Sequence, residues 1–219
     1  MIVVLGRPAL GPSLPAPAAG QGKGLAGLSA AICVAASAAG AKVELVGSVG
    51  DDAAGDEVII RLARAGVGHA AVLRDPSART GVVGPDSLDD GDDIEPVDGG
   101  LEMSGREPRL DAEDVGLGLG YLLGYGVLVI AERLPQDVMA VALEAARYHQ
   151  ASVVAVVPEG EGAGLTLGED ATVLEAPREA GAAFTGMVGR FVAALDAGVS
   201  AADAFSAATK GSGWEAAAE

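Results

Sequence analysis

The stretch Ala26 to Gly68, AGLSAAICVAASAAGAKVELVGSVGDDAAGDEVIIRLARAGVG, decides how the rest of the chain is read. Its order is helix, strand, loop, helix. Ala26–Ala39 is small and apolar on every side, which predicts a buried helix. Gly40 ends it, as a residue able to turn left-handed does just past a helix C-terminus. Lys42–Val46 alternates and is β-prone. Gly47–Gly50 is expected to break the strand. Asp51 and Asp52 then stand before a second helix, where carboxylates can cap free amides. Val58, Ile59, Leu62 and Ala63 give that helix an apolar stripe, and Ala65–Gly66 gives it a stop.

Outward from this unit the chain alternates in the same way. Met1–Leu5 (MIVVL) reads as a buried central strand. Arg7–Gly24 is rich in Pro, Gly and Ala and reads as loop. Within it Gly20–Gly24 (GQGKG) looks like a phosphate loop. It is too short for the nucleotide-binding Gly-rich motif, and no Ser or Thr follows its Lys, so a linker is the simpler reading. Ala70–Leu73 is a short strand, Asp75–Ser77 turns, and Arg79–Val83 is extended. Gly84–Gly100 is a polar, acidic tract with a hairpin turn expected at Asp89-Asp90-Gly91. Its carboxylates (Asp86, Asp89, Asp90, Asp92, Asp93, Glu95) do not follow the spacing of a Ca²⁺ loop, so they read as a solvated flap and no metal site is assigned.

Asp111–Gly120 opens as a capped helix, Gly126–Ile130 is a buried strand, Pro135–His149 an amphipathic helix and Ser152–Val157 another buried strand. This alternation predicts a parallel α/β sheet with right-handed crossovers. Glu159–Leu167 is loop and Ala171–Leu174 a last strand. Gly181–Gly186 leads into a helix at Met187–Asp196, Gly198 stops it, and Ser200 caps a final helix over Ala201–Thr209.

The 219 residues suit one domain. Half the residues are hydrophobic but only 3 % are aromatic, so the apolar content is mostly Ala, Val and Leu, which favours close helix-on-sheet packing. There is no apolar run long enough to span a membrane and no basic-then-apolar leader. The single cysteine, Cys33, excludes an internal disulfide and fits a reducing cytoplasm as an inert core thiol. A formal charge of −17 repels phosphate backbones and argues against nucleic-acid binding.

With these segments in order, the chain resembles the ribokinase-like, PfkB-type carbohydrate kinases. The residues that carry the resemblance are Gly40-Ala41-Lys42-Val43, the run Val46-Gly47-Ser48-Val49-Gly50-Asp51-Asp52-Ala53-Ala54-Gly55, Ala65-Gly66-Val67 and Arg79-Thr80-Gly81. The pattern in that family is a Gly-Gly-x-x-x-Asn helix start, GAKV, VGxVGDDxxG, a helix ending in GV, and TG. LDAEDV at Leu110–Val115, AERLP at Ala131–Pro135 and FVAALDAGVS at Phe191–Ser200 extend it. The fold implied is a three-layer α/β/α sandwich with a mostly parallel central sheet, a shortened nucleotide side and a small lid-like flap. One domain would cover 1–219, with 84–100 as the reduced acidic lid.

Such kinases are implied to transfer the γ-phosphate of ATP to a sugar or nucleoside hydroxyl. That chemistry needs a carboxylate to take the proton, a backbone amide pocket for the phosphoryl charge, Mg²⁺ on the phosphates and polar groups to orient the sugar. Compared with the family pattern, Ala26-Gly27 match the Gly pair, but Ala31 stands where the family has Asn. Gly6-Arg7-Pro8 replaces an Asn-x-Asp after the first strand. A family carboxylate after the middle strand falls on Arg133, with Glu132 beside it. The Gly-Ala-Gly-Asp slot for the catalytic Asp is occupied by Thr185 in one register and by Ala182 in the other, and threonine is a poor proton acceptor. The Mg²⁺-linked Asn-x-x-Glu slots fall on Pro177 and Ala180.

The expectation is therefore a degenerate homologue of sugar kinases that has lost activity and serves a binding or assembly role. No catalytic residue is intact. Gly181 and Gly186 are the candidate anion hole, and Gly27 and Glu132 the candidate substrate side. The alternative is a small active carbohydrate kinase with a relocated base, Glu132 or Glu179, which would use ATP and Mg²⁺. A sugar-like ligand and a homodimer through the flap are the expected partners, with no nucleic acid and no membrane, in the cytoplasm.

Overall fold

The computed structural model of the chain describes residues 1–12, 23–83, 106–162, 167–168, 171–177 and 181–210. At its centre is β1 (Ile2–Leu5), buried at every position. Ile2 and Val4 face one apolar cluster, and Val3 and Leu5 face the other. A strand covered on both faces needs apolar residues at successive positions, which is why it reads as a continuous run. β1 pairs in parallel with β4 (Val43–Gly50) on one side and β6 (Val127–Ile130) on the other. Beyond β4 lies β5 (Gly68–Asp75). Beyond β6 lie β7 (Ser152–Pro158) and then β8 (Thr172–Ala176). The order β5-β4-β1-β6-β7-β8 is parallel throughout.

Helices cover both faces. α1 (Leu28–Ala38), α2 (Ala53–Arg64), α5 (Ala182–Asp196) and α6 (Ala201–Thr209) contribute Ile32, Val58, Phe191 and Ala204 to one cluster. α3 (Ala112–Tyr121) and α4 (Gln136–His149) contribute Val115, Leu119, Val138 and Ala142 to the other. This is the expected three-layer α/β/α, ribokinase-like sandwich. Asp111, Asp52 and Ser200 each accept a hydrogen bond from a first-turn amide, so the expected caps of α3, α2 and α6 are in place.

Several boundaries differ from the sequence reading, among them β5, which spans Gly68–Asp75 where Ala70–Leu73 was expected. β4 does not stop at Gly47; it runs to Gly50. The glycines there are close-approach residues and not breakers. A Cβ at Gly47 would overlap the Gly6 carbonyl oxygen, and one at Gly50 would lie 2.6 Å from the Thr80 amide nitrogen. Arg7–Gly24 is not all loop: β2 (Ala9–Pro12) and β3 (Lys23–Ala26) form an antiparallel pair, which Val82 joins beside Leu10. Alternation is too short there to register as strand. α1 accordingly begins at Leu28, after β3, with Gly27 as its N-cap at φ +83°. α5 begins at Ala182, five residues before the expected Met187, because Gly181 and not Gly186 is the cap. The acidic tract 84–100, the first part of GQGKG (20–22), Glu179 and Ala180 lie outside the described residues.

Among the described residues no helix is long and apolar enough to cross a membrane, and no cluster of His, Cys, Asp or Glu could hold a metal ion. Cys33 is buried, and burial together with the charge of Glu44 pushes its thiol far up. A thiol so placed is protonated and unreactive.

Candidate functional site

Connections from β1 diverge. One leads through α1 to β4, and the next strand on the other side, β6, is reached only later through α3. The helices change face at this point, so the crevice between the carboxyl ends of β1 and β6 is the topological switch point, where open α/β sheets bind ligands. Gly6-Arg7-Pro8 leaves β1 there, and Ala131-Glu132 leaves β6.

The two loops are tied together. The Arg7 amide donates to Glu132 Oε2 at 2.8 Å, and Arg7 Nε donates to Glu132 Oε1 at 3.0 Å. Arg7 Nη1 also meets Glu107, in the segment that enters α3. On the other side, Ser29 Oγ donates to the Arg7 carbonyl at 3.0 Å. A Cβ at Gly27 would lie 3.4 Å from that same carbonyl oxygen. The structure thus places Gly27 and Glu132 around one residue, Arg7, which the sequence reading had noted only as a departure from Asn-x-Asp. Arg7 was legible in principle. An Arg directly after a central strand and a Glu directly after its parallel neighbour are brought together at a switch point by topology alone.

Burial pushes the Glu132 carboxyl up, and the charge and hydrogen bonds of Arg7 bring it only part of the way back. Its pKa in the folded protein is therefore above its unfolded value, so ionised Glu132 costs stability, and the cost is relieved as pH falls through the folded value. Removing Arg7 moves that value further up. Arg7→Ala is expected to cost about 1–3 kcal/mol at neutral pH, by leaving a half-buried carboxylate unpaired. The difference from wild type should shrink at acidic pH, as pH falls through the raised folded value of Glu132. Urea unfolding at the two pH values measures both.

The candidate anion hole divides. Gly181 is the exposed N-cap of α5, and Phe184 donates its amide to the Gly181 carbonyl at 3.1 Å. Gly186 falls in the second turn, where a helix amide is engaged by the carbonyl one turn back, so it is not part of a free helix start. The two positions considered for a catalytic carboxylate, Ala182 and Thr185, both lie in the first turn of α5. Thr185 Oγ1 turns back to the Ala182 carbonyl at 3.4 Å. α1 and α5 both start at the carboxyl edge and run in the same direction. They pack so tightly that a Cβ at Gly189 would lie 2.6 Å from the backbone of Ala35.

A separate shallow cleft of about 420 Å³ lies at the carboxyl ends of β4 and β5, lined by Asp51, Asp52, Pro76, Ser77, Ala78, Arg79 and Arg106. None of Gly27, Glu132, Gly181 or Thr185 lines it. Its carboxylates are engaged: Asp51 meets Arg74, and Asp52 forms a clasp. Asp52 Oδ1 accepts from the Gly55 amide at 2.8 Å and from Thr80 Oγ1 at 2.8 Å, while Oδ2 accepts from the Thr80 amide at 3.0 Å. Thr80 Oγ1 in turn accepts from the Gly50 amide at 2.9 Å. Partial burial pushes the Asp52 carboxyl up, but these hydrogen bonds and the charge of Arg79 outweigh it and hold it below the usual carboxylate value.

Residues 7–93 match the family model described as pfkB family carbohydrate kinase. No curated protein matches the chain. Among solved structures, a PfkB protein from Polaromonas sp. JS666 is 17 % identical, with a TM-score of 0.64 over 99 % of this chain and 96 % of that one. A carbohydrate kinase from Agrobacterium tumefaciens is 16 % identical, with a TM-score of 0.60 over 100 % of this chain and 91 % of that one. An uncharacterized sugar kinase from Pyrococcus horikoshii in complex with ATP is 15 % identical, with a TM-score of 0.54 over 71 % of this chain and 52 % of that one. The fold is ribokinase-like. The amino-terminal part, from the loop after β1 through the Thr80 clasp, carries the sequence pattern of the PfkB carbohydrate kinases.

Proposed function

We propose that this chain is a ribokinase-like homologue of ATP-dependent carbohydrate kinases that has lost phosphoryl transfer and is retained for a binding or assembly role. The observation that carries this reading is the state of the two places where transfer needs a working group. The first turn of α5 offers Ala182, Ala183 and Thr185, none able to take a proton at neutral pH. At the switch point, the carboxylate that could face a hydroxyl, Glu132, is held by the amide and guanidinium of Arg7. A sugar-like ligand is the class of molecule that crevice would take. A net charge of −17 opposes nucleic acid.

Calorimetric titration with Mg-ATP, together with a turnover assay over a panel of sugars, tests the proposal. The expected result is no turnover with any sugar. Binding of ATP at micromolar concentration accompanied by phosphorylated product would overturn it. One observation favours a second reading, an active kinase with Glu132 as base: burial shifts that carboxyl upward, the direction a general base needs. In that case ATP and Mg²⁺ are required, and Glu132→Gln abolishes the turnover.

A further inference from the structure

Most arginines of this protein have a partner that explains their place. Arg7, Arg61, Arg74, Arg109 and Arg133 each meet a carboxylate. Arg190 donates to the Ala208 carbonyl at 2.8 Å. Arg64 and Arg147 stand in the last turns of α2 and α4, where free carbonyls favour a cation. Arg79 and Arg106 differ. Among the described residues, neither guanidinium makes an ion pair or a hydrogen bond. Their charges reach Asp52 and Asp75 only through space. In a chain with 31 acidic residues and 14 Lys and Arg, two guanidinium groups without a carboxylate in contact call for an explanation.

The fold brings these two together. The Arg79 amide donates to the Arg106 carbonyl at 3.1 Å. Both residues line the cleft of about 420 Å³ at the carboxyl ends of β4 and β5. Their backbones are held on both sides. Thr80, next to Arg79, is clasped by Asp52, and Ala78 is buried. Asp75 Oδ2 accepts from the Arg109 amide at 2.9 Å, which fixes the segment carrying Arg106. The carboxylates nearby are taken by other groups. Asp75 Oδ1 accepts from the amide and the hydroxyl of Ser77 at 2.9 and 2.7 Å. Asp51 meets Arg74, and Asp52 is occupied by Gly55 and Thr80. Two like charges on one small cleft repel each other, and no carboxylate there turns to relieve them.

We propose that this cleft binds a phosphate group, either free or carried by a small phosphorylated molecule. It is separate from the switch-point crevice and shares none of its residues. A guanidinium presents a planar fork of N–H donors that matches the oxygens of an oxyanion, and the bonds are strengthened by charge. Two such groups match the double charge of a phosphate better than the single charge of a carboxylate. Because their backbones are already fixed, little ordering is needed when the anion arrives. Asp51 is exposed and opposes an anion, but Arg74 stands 3.5 Å from it and offsets its charge. Over the rest of a surface that totals −17 an anion is repelled, which leaves this cleft as the favoured place for it. Its volume of about 420 Å³ lies within the roughly 300–1,000 Å³ of small-molecule sites, so there is space for more than the phosphate.

Calorimetric titration of the full chain with inorganic phosphate, glucose 6-phosphate and glucose, at one ionic strength, tests this. Both phosphates are expected to bind. Arg79→Ala and Arg106→Ala should each weaken that binding by about tenfold, the loss of one charge-assisted contact, and together they should abolish it. Both residues are exposed, so urea midpoints should confirm an intact fold. Arg147→Ala, on α4, removes the same charge elsewhere and should change nothing. Tighter binding of the sugar phosphate assigns the site to a phosphate ester, and equal binding assigns it to free phosphate. Heat from glucose belongs to the switch-point crevice and should survive both variants, so the two sites are read separately. Absence of binding by either phosphate at millimolar concentration overturns the proposal. So does phosphate binding that survives the double variant, or that Arg147→Ala weakens as much.

Discussion

Gly47→Ala is expected to destabilise the protein by about 3 kcal/mol or more, far beyond what one methyl group ordinarily does. In a domain of this size that is a fall of roughly 6–12 °C in melting temperature. The added Cβ would overlap the carbonyl oxygen of Gly6. That oxygen belongs to the backbone, so no rotamer change can move it aside. Gly6 is itself fixed: its amide donates to the Val46 carbonyl at 3.0 Å. The next residue, Arg7, donates its amide to Glu132. Pushing Gly6 away therefore loosens the β1–β4 pairing and the Arg7–Glu132 tie together. Gly120→Ala is the control, since its Cβ meets nothing and the helix gains propensity. It should raise stability of the single chain by about 0.5–1 kcal/mol. Urea midpoints of the two variants should move in opposite directions. A Gly47→Ala protein as stable as wild type would remove the close-approach account of this motif.

Asp52→Ala should cost about 2–4 kcal/mol, the sum of a lost N-cap and a broken tie to Thr80. The carboxylate caps α2 through Gly55 and holds both the amide and the hydroxyl of Thr80, which is 5 % exposed. Without it, the Thr80 amide is left unsatisfied near the core. Asp52→Asn should recover only part of the loss, because an amide NH₂ would face the Thr80 N–H, donor against donor. The pH dependence follows from the direction of the shift. The folded pKa lies below the unfolded one, so the stabilisation is complete above the unfolded carboxylate value. It is lost as pH falls through the folded value. Wild type should therefore lose part of its margin over Asp52→Ala below about pH 4, as thermal melts at stepped pH would record. A margin independent of pH would mean that Asp52 acts through packing and not as a carboxylate.

Both predictions concern the run Val46–Gly55 and Thr80-Gly81, which lies within the stretch that matches the pfkB family carbohydrate kinase model. In this molecule they do structural work. Gly47 and Gly50 let backbones touch, and Asp52 joins a strand end, a helix start and the extended segment at Thr80. A chain can keep all of this and still lack a proton acceptor at Ala182 and Thr185.

The layered α/β architecture was readable because it rests on local rules. The buried run Met1–Leu5, the capping residues Asp52, Asp111 and Ser200, and the apolar periods of α2 and α4 each act within a few residues. The glycines of β4 were misread as breakers for the same reason. Sequence shows that a residue lacks a side chain, not that a carbonyl from a neighbouring strand needs the space. The β2–β3 pair was missed because four-residue strands rich in Gly and Pro carry no period. The start of α5 was misplaced because two glycines, Gly181 and Gly186, could each have ended the loop.

For the site, sequence alone shows that Ala31, Ala182 and Thr185 carry neither a side-chain amide nor a carboxylate. It also identified Gly27 and Glu132, but as separate positions more than a hundred residues apart. Only the tertiary structure decided that both flank Arg7, because parallel pairing of β1 with β6 brings the ends of two distant strands side by side. Covalent proximity specifies caps, turns and helix faces. A charge pair at a switch point exists only once the sheet has fixed which strand lies next to which.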